Sequence, residues 1–97
     1  MVTLVRFEWD EKKNKSNRRK RGVWFEEATH VFGDPYHRFF LDKDHSDHED
    51  RYIVIGYGAE NRLLVVIHVY CNATEIVRIV SARRATKKER LYYEEGI

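Results

Sequence analysis

A chain of 97 residues is long enough for one compact domain with a single core and too short for two, so residues 1–97 are expected to form one unit. Apolar residues make up 42% and charged residues 35%, which excludes disorder throughout and predicts a globular body with a heavily charged surface. The net charge of +2 conceals a segregation: residues 42–50 sum to −4 and the rest of the chain to +6, a basic field of the kind that attracts nucleic acid through its phosphates.

In chain order, Thr3 to Glu8 alternates weakly through Leu4, Val5 and Phe7, which predicts a short first strand anchored by Trp9. Asp10 stands where a helix N-cap belongs, Glu11 adds negative charge to the first turn, and Gly22 stands where a C-terminal glycine cap belongs. The intervening helix has no apolar residue and seven Lys or Arg between residues 12 and 21. It has little to bury, must be held at its ends by Trp9 and Val23, and leaves a basic surface for a partner. Val23 to Phe32 predicts a second, amphipathic helix that turns Phe25, Ala28 and Phe32 inward with Trp24 and Val31 beside them, and Gly33, Asp34 and Pro35 stop it.

Tyr36 to Leu41 is expected as a short aromatic strand, and Asp42 to Asp50 as an acidic loop. His45 and His48 lie among its carboxylates, but no compact zinc-like spacing is present, and a solvated loop is the preferred reading. Arg51 to Tyr57, Leu63 to Tyr70 and Glu75 to Arg83 read as three strands joined by the short turns GAEN and CNAT, hence antiparallel hairpins. The middle strand is apolar on both faces apart from His68, so it belongs at the centre of the sheet under helices. Thr86 and Glu89 have the spacing of a capping box, which predicts a last helix running to about Glu95 and ended by Gly96. The expected fold class is therefore α+β: an antiparallel sheet of four to five strands, two N-terminal helices and one C-terminal helix.

The lone Cys71 leaves no internal disulfide or four-thiolate site and fits a reducing compartment. The longest aliphatic run, Leu63 to Ile67, falls far short of the roughly 20 residues that span a bilayer, and Arg6, Glu8 and Asp10 interrupt the start too early for a signal peptide. A cytoplasmic location is expected, with no membrane contact.

Five blocks carry a family resemblance: FEWDEKKNKSN at Phe7 to Asn17, KRGVWFEEA at Lys20 to Ala28, FGDP at Phe32 to Pro35, DHSDHEDRYIVIG at Asp44 to Gly56 and VSARRATKKERLYYEEG at Val80 to Gly96. In this order they resemble the BrnT family of bacterial toxins, the toxin half of BrnT/BrnA toxin–antitoxin pairs. The resemblance implies a RelE-like ribonuclease fold and RNA cleavage that lowers translation. It also implies neutralisation in a hetero-oligomer by a small BrnA-like antitoxin with a ribbon-helix-helix part, through which operator DNA is bound. The family typically shows Lys-His-Gly-Val where this chain has Lys20, Arg21, Gly22 and Val23. A guanidinium cannot take over proton transfer at neutral pH, so Arg21 is assigned charge only.

Metal-independent RNA cleavage needs a base for the ribose 2′-OH, a cation for the phosphate and an acid for the leaving 5′-oxygen. Arg83 is the candidate for the phosphate, because guanidinium offers paired planar donors. Tyr93 is a candidate donor to the leaving group, and Glu89 a candidate base beside its capping role. His68 is a further candidate, since its ordinary pKa suits proton transfer near neutrality. Lys20, Arg21, Arg51, Arg84 and Lys87 are assigned to the RNA backbone. No cofactor or metal is called for. The competing reading is a non-catalytic RNA- or antitoxin-binding module. A DNA-binding regulator ranks last for want of a recognition-helix motif.

Overall fold

Branched aliphatic residues favour pleated backbone where both faces are covered, and that is where the chain puts them. The computed structural model describes residues 5–71 and 76–96. Along it come β1 (Arg6–Glu8), α1 (Glu11–Arg21), α2 (Phe25–Ala28), a 3₁₀ turn (Thr29–Gly33), β2 (Arg38–Leu41), a 3₁₀ turn (Lys43–His45), β3 (Tyr52–Tyr57), β4 (Leu63–Cys71), β5 (Ile76–Arg84) and α3 (Lys87–Glu95). The strands form one sheet in the order β1-β5-β4-β3-β2, with β4 at its centre as expected.

β2, β3, β4 and β5 pair antiparallel, but β1 runs parallel to β5, from Arg6 beside Ile76 to Glu8 beside Arg78. The sheet is thus mixed, which corrects the antiparallel expectation. A first strand separated from its neighbour by the whole chain is under no hairpin constraint, and no short-range signal sets its direction. Thr3 and Leu4 of the expected first strand, and Asn72 to Glu75 of the last turn and strand, lie outside the described residues.

The two sides of the sheet hold two separate apolar clusters. Val54, Leu64, Val66, Ile79 and Ala82 pack under Val23, Phe25, Ala28 and Val31 of the α1/α2 layer, with Phe7, Trp9 and Phe32 against them. Ile55, Leu63 and Val65 face the other way and pack with Ile53, Tyr57, Ile67, Ala85 and the α3 residues Tyr92 and Tyr93. This two-sided burial explains why β4 reads as an unbroken apolar run. The second helix is shorter than predicted: Val23 and Trp24 precede it, it lasts one turn, and it tightens into 3₁₀ from Thr29. Trp24 is 42% exposed instead of packed inward, with Arg18 over its ring.

α1 begins and ends as its caps predict. The Asp10 carboxylate accepts from the amides of Lys12 (2.8 Å) and Lys13 (3.4 Å), and Gly22 takes the left-handed conformation at φ 76°. What holds its middle is not apolar. Asn14 and Asn17 are buried. Asn14 Oδ1 accepts from the Phe25 amide at 2.7 Å and its Nδ2 donates to Glu26 at 2.8 Å. Asn17 donates to the carbonyls of Val23 and Ala82, at 2.8 and 2.9 Å, and accepts from the Ala82 amide at 3.2 Å. Beyond the last β1 pair, a side-chain amide thus continues the hydrogen-bond ladder of β5. A helix without an apolar stripe is docked by two amides, a signal that hydrophobic periodicity cannot carry.

Candidate active site

The junction between β5 and α3 is built from one carboxylate doing two jobs. Ala85 closes the ladder by donating its amide to Leu63 O at 2.9 Å, and Thr86 then caps α3. Thr86 Oγ1 accepts from the Glu89 amide at 3.2 Å while Glu89 Oε1 accepts from the Thr86 amide at 2.8 Å, the predicted capping box. Arg83 lies opposite Val65 and so projects toward α3. Its Nη1 and Nη2 donate to Glu89 Oε1 and Oε2 at 2.8 and 2.7 Å, a two-pronged fork that fixes the guanidinium plane. The Arg83 bond, reinforced by the Thr86 amide, holds the Glu89 carboxyl down to about 2.

One helical turn further, the Tyr93 hydroxyl donates to Asp34 Oδ2 at 2.6 Å. The same oxygen accepts from the Tyr57 amide at 2.9 Å, and Oδ1 accepts from the Tyr36 amide at 2.9 Å. Asp34 therefore sits on the edge of β3 just past the end of β2. Burial pushes the Asp34 carboxyl up, but the Tyr93 hydroxyl and the two amides outweigh it and leave it below its ordinary value. Burial and the donation to Asp34 push the Tyr93 phenol well above its ordinary value. Arg38 of β2 completes the clasp: Nε and Nη2 donate to Tyr93 O at 3.3 and 3.2 Å, and the guanidinium lies 5.9 Å from the Tyr92 ring centroid. Arg90 donates to Tyr57 Oη at 3.3 Å.

Between α3 and the sheet lies an open cleft of about 490 Å³ lined by Phe40, Ile55, Lys88, Glu89 and Tyr92, with the Phe40 and Tyr92 rings edge-on at 5.9 Å. Its floor is aromatic and aliphatic and its rim carries Lys88. Lys87 and Arg90 are exposed on the same helix, while Arg84, opposite Leu64, is exposed at the end of β5 on the alternate face. Such a surface offers stacking faces beside cations, the combination that suits single-stranded RNA.

The candidates read from the sequence divide accordingly. Arg83, Glu89 and Tyr93 come together through α3, with Lys87 at the first turn of the helix. Lys20 and Arg21 end α1 on the other sheet face and border Val80 and Ser81 of β5. Two candidates lie elsewhere. Arg51 precedes β3 at the far end of the sheet and lines a hollow with Asp44, His45, Asp47, His48 and Glu49, a setting that repels phosphate. His68 faces the α1/α2 layer, opposite in direction to Arg83. It is fully buried among the rings of Phe32, Phe39, Tyr52 and Tyr70, at 4.8 to 6.2 Å between centroids. Its Nε2 has no partner among the described residues, Nδ1 is 3.4 Å from Val66 O, and burial drives its pKa down to about 4. Asp34, Arg38, Phe40 and Tyr57 were not singled out by sequence. The motif FGDP marked Asp34 only as a helix stop, and nothing in its spacing points to a tyrosine 59 positions on.

A sequence profile of the family described as ribonuclease toxin, BrnT, of type II toxin–antitoxin systems matches residues 9–89. This chain belongs to the BrnT family. The crystal structure of the Brucella abortus ribonuclease toxin BrnT superposes with a TM-score of 0.66 at 22% identity, over 86% of this chain and 99% of that one. The two share a fold. No curated protein sequence matches significantly. The segment matched to the BrnT profile contains Arg83, His68 and Glu89, whereas Tyr93 lies beyond it. Among the described residues no helix is long and apolar enough to cross a membrane.

Proposed function

We propose that this BrnT chain acts as a single toxin domain in the bacterial cytoplasm and cleaves RNA without a metal ion at the junction of β5 and α3. A BrnA-like antitoxin with a ribbon-helix-helix part neutralises it in a hetero-oligomer and carries that oligomer to operator DNA. The observation that supports this reading is the Arg83–Glu89 fork: a guanidinium locked in plane at the mouth of an aromatic cleft, on a rim of lysines and arginines. Arg83 has five N–H donors; Glu89 engages two and the Arg84 carbonyl a third, at 3.4 Å, which leaves two to meet a phosphate and the negative charge that grows on it.

Tyr93, with its raised pKa, stays protonated at physiological pH; its single O–H is held by Asp34, so it donates toward the leaving oxygen only if RNA draws it off that carboxylate. Glu89 is ionised at neutral pH but is a weak base at about 2. Its first role is to hold Arg83 and start α3, and it accepts the 2′-OH proton only if RNA phosphate draws Arg83 away and raises its basicity. Lys20, Arg21, Arg84 and Lys87 bind backbone. His68 is assigned to the core and Arg51 to the acidic loop.

That weak basicity is also the observation favouring a second reading, an RNA- or antitoxin-binding module without catalysis. Incubation of total RNA with the protein and a chelator decides between them. Loss of intact RNA with the parent chain and its survival with Arg83→Ala support the nuclease. Intact RNA with both, together with low-salt retention on RNA, supports the binder.

A further inference from the structure

On the sheet face away from Arg83, the α1/α2 layer stops short of the outer strands. Phe39 and Leu41 of β2 lie opposite Val54 and Tyr52 of β3, and Tyr52 lies opposite His68 of β4. These side chains, with Tyr70, therefore share one face. Phe39 stacks on Tyr52 (5.2 Å, 20°), and Tyr52 meets Tyr70 edge-on at 5.3 Å. Phe39 and Leu41 are 44% and 38% exposed, while Tyr52 and Tyr70 are half-buried. An apolar shelf thus spans three adjacent strands, and the Nε2 of His68, without a partner among the described residues, lies in its floor.

An aromatic shelf on a sheet is a familiar platform for RNA bases, but its surroundings here argue against that occupant. Leu41 and Tyr52 are the two ends of the acidic loop, and the chain between them, Asp42 to Asp50, sums to −4. The loop is tied down at its base, where the Asp42 amide donates to Arg51 O at 2.7 Å and Ser46 Oγ accepts from the Arg51 amide at 3.0 Å. Phosphate approaching the shelf meets that charge. Lysine or arginine is drawn to it, and such cations also bind favourably over aromatic faces.

We infer that the Phe39, Leu41, Tyr52 and Tyr70 shelf, bordered by the 42–50 loop, docks a cationic, aliphatic-rich segment of a partner protein, leaving the α3 side of the sheet and the basic end of α1 to RNA. Naming that partner as the antitoxin rests on the toxin reading above; the chemistry of the surface does not. The two macromolecules then use separate surfaces, and a partner seated on the shelf adds its cations beside the acidic loop, where RNA does not run.

Amide chemical-shift mapping on the full chain tests this, with three probes: a short amphipathic Leu–Lys peptide, its Leu–Glu counterpart, and a short oligouridine. The Leu–Lys peptide is expected to shift Phe39, Leu41, Tyr52, Tyr70 and the 42–50 loop. The Leu–Glu peptide should leave them unmoved, and the oligouridine should shift residues on and around α3. Two variants outside the proposed RNA site, Phe39→Ser and the triple change Asp44→Asn, Asp47→Asn, Glu49→Gln, should each weaken the Leu–Lys peptide by about tenfold and leave RNA cleavage unchanged. Leu–Lys shifts that fall elsewhere, equal binding of both peptides, or oligouridine shifts on Phe39 and Tyr52 would overturn the inference. A parent chain that fails to cleave RNA while the Leu–Lys peptide maps to the shelf would refute the nuclease and not the docking surface.

Discussion

Replacing His68 with leucine separates the roles of the two sheet faces. In the folded chain His68 is neutral, because burial lowers its pKa from 6.5 to about 4 and only a long contact to Val66 O opposes the shift. The unfolded chain takes up a proton near pH 6.5 and the folded chain does not until about 4, so between these values the unfolded state binds more protons and stability rises with pH. A drop of this size corresponds to about 3 kcal/mol of stability present above pH 6.5 and lost as pH falls to 4. Leucine occupies similar space, carries no polar atom to desolvate, and leaves no orphaned partner. Urea denaturation of parent and His68→Leu at intervals from pH 7.5 to 3.5 reads the difference. The variant should be as stable as the parent or more so at pH 7, and should show a flatter profile between 6.5 and 4. Its RNA cleavage should equal the parent's within about twofold, far from the 10²–10⁴ loss expected of a general acid or base. An unchanged acid slope would refute the burial argument, and a large loss of cleavage in a stably folded variant would return His68 to the catalytic set.

Glu89→Gln removes the acid sensitivity of a lower window. With the parent carboxyl held at about 2 by Arg83, stability falls from about pH 4.5 downward, and because Arg83 and Glu89 are 36% and 26% exposed the loss is on the order of 1 kcal/mol; a variant as acid-sensitive as the parent there contradicts the fork. Asn17→Ala leaves the carbonyls of Val23 and Ala82 and the Ala82 amide without their partner and should cost about 2–3 kcal/mol in chemical denaturation, against less than half of that for the neighbouring, half-buried Ser16→Ala. Tyr93→Phe loses the 2.6 Å bond to Asp34, which should lower stability by about 1.5–3 kcal/mol and let the Asp34 carboxyl titrate at higher pH, visible by carboxyl-carbon NMR; an unmoved Asp34 titration counts against the assignment.

Where a structural decision was local, the sequence was readable. Asp10, Gly22, the Thr86–Glu89 box and Gly96 specify helix ends within a few residues, and the hairpins follow from short turns between apolar runs. Decisions made over long distances were not. The parallel pairing of β1 with β5, the docking of α1 through Asn14 and Asn17, and the Asp34–Tyr93 bond each join residues whose spacing carries no period. The same division runs through the site. Arg83 and Glu89 are six positions apart and were found together, whereas Arg38 and Asp34, which hold the other end of α3, reach it across the fold. Arg51 and His68 were chosen for chemistry alone, and the sheet carries one to the acidic end and the other beneath the opposite face.

The most direct test is turnover of a short single-stranded RNA in excess chelator by the parent chain, Arg83→Ala and Arg83→Lys. A guanidinium that stabilises charge on the phosphate predicts a loss of about 10²–10³ in kcat/KM for alanine, partial recovery with lysine, and no cleavage when the nucleotide 5′ to the scissile bond lacks its 2′-OH. Equal turnover by parent and Arg83→Ala, or cleavage of the 2′-deoxy substrate, would contradict it.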